Sequence, residues 1–148
     1  MTFDIARCVL GGVIATMVMT GFLNSFAFFF EKKFRAVPLL GTMLTGETTF
    51  IKGISFSHRA VFIGLVVHYA IGCLLSVVYY LWSMKRGSFS LHNTLLFAIG
   101  AGTVAVIAWR LFFYVHSRPP RINLAEYCKL IFIAHLIFAI MLFIVYRM

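Results

Sequence analysis

Acidic side chains are scarce in this chain. Its 148 residues include four Asp and Glu against 13 Lys and Arg, for a net charge of +9. Charged residues of both signs make up 11%, less than half the roughly 25% of an ordinary soluble domain. No paired-carboxylate arrangement for hydrolysis exists, and Ser76, two turns from His68, lacks an orienting acid for a serine-type triad. Cysteine is equally sparse: Cys8, Cys73 and Cys128 form neither CxxC nor a zinc-ligand spacing, which argues against a disulfide scaffold or a structural zinc site. CxxCH, HExxH, GxxxxGK[ST] and GxGxxG do not occur. Their absence removes the usual patterns for covalent c-type haem, zinc proteases and phosphate loops. With no zinc-finger spacing or arginine-rich tail, the positive excess does not point to nucleic acid.

Apolar residues are abundant, at 62%. A short soluble chain cannot hide that much apolar surface, whereas a bilayer removes the need to. The apolar runs cover residues 9–30, 60–82, 91–115 and 130–146, each near or above the length needed to cross as a helix. Backbone polar groups in lipid must be satisfied internally, so helices are expected. The first run starts weakly after Asp4 and Arg7 and passes Phe30 without a small-residue cleavage site, which reads as a retained span. The expected fold is all-α: one integral membrane domain over 1–148, a compact four-helix transmembrane bundle with an interfacial or re-entrant first loop.

That first loop, 31–59, contains Pro38, Gly41, Gly46 and Gly53, which interrupt any long helix, yet it keeps Leu39, Leu40, Met43, Leu44, Phe50 and Ile51. RPPR, Arg118 to Arg121, reads as a stiff turn. An even number of spans puts both termini on one side, with Arg7, Lys85, Arg86 and Arg147. The other side receives Lys32, Lys33, Arg35, Lys52, Arg59, Arg118, Arg121 and Lys129, so the positive-inside rule makes the long loop cytoplasmic.

Residues four apart share a helix face. Gly12, Thr16, Thr20 and Asn24 form such a row on the first span. Gly64, His68, Gly72, Ser76 and Tyr80 form one on the second, and Ala98, Gly102, Val106 and Arg110 one on the third. His135 and Ala139 sit one turn apart on the fourth. Small residues allow close helix approach, so Gly12, Thr16, Thr20, Gly64, Gly72, Ser76, Gly102 and Ala139 are the expected packing positions. Gly64 and Gly72 are alternatively expected against a second copy or another subunit. Counted inward from the long-loop side, Asn24, His68, Arg110 and His135 lie at matching depths of roughly 9 to 14 Å. They are the candidate polar layer and cofactor-binding residues, with Tyr69, Tyr114 and Thr20 around them. An intramembrane Arg is costly and seeks a partner; Glu31 is one candidate. Haem b, with His68 and His135 as axial ligands and Arg110 on a propionate, is one cofactor expectation; a quinone is another. No catalytic residue and no metal site is expected.

The segments GGVIATMVMTGFLN, LLGTMLTG, VVHYAIGCLLSVVYY and AHLIFAIMLFIVY resemble those of small, uncharacterised bacterial inner-membrane proteins with four spans. The matching positions are Ala15, Thr16, Met19, Thr20, Gly41, Thr42, Thr45, Gly46, His68 and Gly72; His135 matches a second histidine, though Ala139 replaces the glycine that follows it there. The resemblance implies a multipass bundle and no particular reaction. The leading functional expectation is an accessory or scaffold module in a membrane assembly, as a homo-oligomer or within a larger complex and in contact with membrane lipids, and not an enzyme as an isolated chain. A haem- or quinone-binding redox subunit and a small-solute or proton transporter are the alternatives.

Overall fold

Apolar side chains with few charges form long helices here because each backbone N–H finds its acceptor within its own segment. The computed structural model describes residues 5–30, 35–49 and 53–148. Among them lie five helices: α1 (Ile5–Phe29), α2 (Ala36–Thr45), α3 (His58–Lys85), α4 (Leu91–Val115) and α5 (Leu124–Arg147). All except α2 are long and apolar enough to cross a membrane. Side-chain caps set three starts. Ser57 Oγ accepts from Ala60 N at 3.1 Å, Ser90 Oγ from Asn93 N at 3.2 Å and Asn123 Oδ1 from Glu126 N at 3.2 Å; each satisfies a donor that the helix leaves unpaired. The Asn123 cap carries α5 back to Leu124, well before the apolar run at 130.

The first loop folds onto the bundle through α2. Pro38 falls in its first turn, where a missing N–H costs no helix bond. Gly46 closes it in the left-handed region at φ 70°. The side chain of Thr42 is pinned, its hydroxyl donating to Pro38 O at 2.8 Å and accepting from Ser55 N at 2.8 Å. Beyond it, Glu47 accepts from Ser57 and pairs with Arg59 at 3.8 Å. Thr48 Oγ1 donates to Arg118 O at 2.6 Å, so the first loop and the RPPR turn share one end of the molecule. Glu31, Lys32, Lys33, Phe50, Ile51 and Lys52 lie outside the described residues.

α5 is the central column. It packs against α1 on one side and α4 on the other, while α3 packs against α1 and α2. The small residues allow this packing within one chain. A Cβ on Gly12 would stand 2.6 Å from Cys73 Cα, one on Gly72 would strike Thr16 Oγ1, and one on Gly64 would strike Val37 O of α2. On α4, a Cβ on Gly102 would stand 2.9 Å from the Phe132 ring. Thus Gly64 and Gly72, for which the sequence alternatively suggests contact with a second copy, are covered by α2 and α1 of the same chain.

At the opposite end from α2, the start of α1 meets the end of α5. Arg7 donates to Val145 O at 3.3 Å, and Ser76 Oγ lies 3.0 Å from Tyr146 Oη. Tyr79 packs against Phe97 and bonds Thr94 at 2.8 Å, while Trp82 Nε1 donates to Asn93 O at 3.3 Å. These contacts close α3 onto α4 beside their joining turn, where Gly87 takes φ 75°. Tyr146→Phe is expected to lower unfolding free energy by about 0.6 kcal/mol, the typical worth of an interhelical hydrogen bond in a membrane protein. Chemical unfolding in micelles checks this; a loss several times larger would mean that the hydroxyl organises the whole end cluster.

Candidate functional site

α3 and α4 touch only sparsely, and between them lies a cavity of about 620 Å³. α4 contributes its small residues Gly100, Ala101, Ala105 and Ala108, which leave the space unfilled. Ile131, His135 and Phe138 of α5 and Met19 of α1 form its inner side. Ala36, Leu40 and Leu44 of α2 line it together with Trp109, Phe112 and Tyr127, and Phe97 and Trp82 line the end where α3 and α4 close. Ile71 and Val78 of α3 and Leu96 and Val104 of α4 line the cavity and are exposed. With so little contact between α3 and α4, the cavity opens sideways between them, along the apolar length of the spans.

Two imidazoles interrupt this apolar lining. His68 faces the cavity from α3, and its Nε2 lies 2.9 Å from Thr20 Oγ1 of α1. The helix rows bring them together: Gly12 and Gly72 bring the two backbones close, and Thr20 and His68 meet near that crossing. His135 faces the cavity from α5, with its Nδ1 2.8 Å from Ile131 O one turn earlier. Tyr69 touches His68 edge-on, with ring centroids 6.2 Å apart. No Asp, Glu, Lys or Arg lines the cavity among the described residues.

The structure divides the four residues of the expected polar layer. His68 and His135 share the cavity; Asn24 and Arg110 are exposed and do not line it, and Tyr114 is exposed as well. The reason is helical geometry. Successive i, i+4 steps turn by about 40°, so a row of three steps rotates by about 120°. Gly12 and Thr16 face α3, but Asn24 at the end of their row has swung outward. Ala98 and Gly102 are buried, but Arg110 at the end of theirs has done the same. The packing positions Thr16, Ser76 and Ala139 are buried, and Thr20 is partly buried. Thr16 Oγ1 is buried without a hydrogen-bond partner among the described residues.

Sequence reasoning misses Trp82, Trp109, Leu40 and the small row on α4. The available signal is the run of Gly100, Ala101, Ala105 and Ala108 on one side of a helix, opposite a histidine-bearing span. His68 and His135, the expected axial ligands of a haem b, share the cavity, whereas Arg110, expected on a propionate, does not line it. Among the described residues no group of three or more His, Cys, Asp and Glu is placed to hold a metal. Compared with known proteins, the chain matches no family model, no curated protein and no solved structure.

Proposed function

We propose that this small multi-span membrane protein is a binding module for an uncharged, lipid-soluble ligand, which enters from the bilayer between α3 and α4. The observation that carries this reading is the sideways-open apolar cavity with two imidazoles as its polar focus. Its volume falls within the roughly 300–1,000 Å³ of small-molecule sites, which are mostly apolar with a few placed polar groups. Lateral access suits a ligand that is dissolved in lipid and never crosses water. A quinone or quinol belongs to this class. In this reading the chain acts by holding the ligand, as an accessory subunit or homo-oligomer in a bacterial inner membrane, rather than by catalysing a reaction alone.

Charge supports a cytoplasmic long loop in this proposal. Arg35, Arg59, Arg118, Arg121 and Lys129 are exposed and belong to the α2 end of the chain path, suited to anionic headgroups.

The test is solvent extraction of protein purified gently from its native membrane, followed by mass spectrometry of what is released. A single apolar compound at near one-to-one stoichiometry is expected, and it should be depleted from an Ala101→Phe, Ala105→Phe variant that fills the cavity. Release of ordinary membrane phospholipids alone, equal in both proteins, would defeat the proposal.

A further inference from the structure

We infer that the cavity selects ligands bearing a hydroxyl group, whose proton is shared with Nε2 of His135. This rests on the proposed binding of a lipid-soluble ligand and names the group that is recognised. His135 is 9% exposed and lines the cavity. Its Nδ1 lies 2.8 Å from Ile131 O. A carbonyl oxygen has no proton to give, so Nδ1 must carry the hydrogen. An uncharged imidazole has one N–H, which leaves Nε2 as a lone-pair acceptor. The ring stays uncharged because it is buried among apolar side chains and no acid among the described residues lines the cavity. No other hydrogen bond to His135 occurs among the described residues.

An acceptor of this kind discriminates by hydrogen-bond sign. An ether or quinone oxygen would set lone pair against lone pair and leave Nε2 desolvated without a donor. An alcohol, phenol or hydroquinone supplies the missing proton. Sites built to bond a substrate hydroxyl reject analogues that lack it, because the site's own polar group is then left unpaired. His68 differs in that its Nε2 is already engaged by Thr20. The apolar walls then accept a hydrocarbon tail, and the hydroxyl fixes how the ligand sits.

The experiment compares 4-decylphenol with its methyl ether on protein in lipid nanodiscs, by titration calorimetry. The two share a ring and a tail and differ in the hydroxyl proton. The phenol is expected to bind about tenfold more tightly, the effect of leaving one buried acceptor unpaired. In His135→Phe that preference is expected to vanish while the ether still binds. Equal saturable binding of phenol and ether to the unaltered protein would overturn the hydroxyl inference and leave the cavity reading standing. Saturable binding of neither would overturn both. A phenol preference that survives in His135→Phe would overturn the assignment to His135. Should that variant fail to fold, the pair measured on the unaltered protein still decides whether a hydroxyl is selected.

Discussion

Replacing Gly41 by leucine is expected to unseat α2 and to lower unfolding free energy by about 3 kcal/mol, the upper end for forcing atoms into a packed interior. Any Cβ at Gly41 would strike the carbonyl oxygen of Ala60 on α3, and Gly64 of α3 stands directly against the same stretch of α2. The obstacle is backbone, which has no rotamer to swing away. Relief requires α2 to lift off α3, taking Leu39 and Met43 out of the core and loosening the Thr42–Ser55 bonds. Gly21 provides the control. It is exposed on α1, and a Cβ added there would meet nothing within 4 Å, so Gly21→Leu is expected to leave stability unchanged or slightly raised. Thermal unfolding in micelles distinguishes the pair. Equal stability of Gly41→Leu and the unaltered protein would mean that α2 does not sit on α3.

The second large effect concerns the cavity. Ala101→Phe with Ala105→Phe places two rings in the space between α3 and α4, where both alanines line the wall. Ligand affinity is expected to fall about 100-fold, because overpacking costs about 1–3 kcal/mol and each 1.4 kcal/mol is a factor of ten. Stability should change little, since both alanines border the cavity and the added rings occupy it. Ligand titration and unfolding on the same preparations separate the two. A fall in affinity matched by collapse of the fold would assign these alanines to packing instead of access.

Much of this architecture is legible in the residues alone. Four long apolar helices follow from run length, and α4 occupies the same residues, 91–115, as its run. The row from Gly64 to Tyr80 reads as one face, and its members meet successive neighbours: α2 at Gly64, α1 at His68 and Gly72, and α5 at Ser76. Other features are not legible, for physical reasons. Hydropathy stops at Lys129, but a helix needs backbone bonds and not apolar side chains, so α5 runs back to its Asn123 cap. Matching depth places Asn24 and Arg110 beside the histidines, but depth leaves angle undetermined, and both residues lie off the cavity. The cavity itself is hidden because a wall facing lipid and a wall facing a lipid-soluble ligand call for the same apolar residues.

The most direct measurement uses the chain's two tryptophans, Trp82 and Trp109, both of which line the cavity. Protein in nanodiscs is titrated with a brominated long-chain alcohol, a quencher confined to the bilayer, and tryptophan emission is followed. Saturable quenching at one site, lost in the Ala101→Phe, Ala105→Phe variant, is the expected result. Quenching that grows in proportion to the alcohol in the bilayer, and equally in both proteins, would contradict an intramembrane binding site.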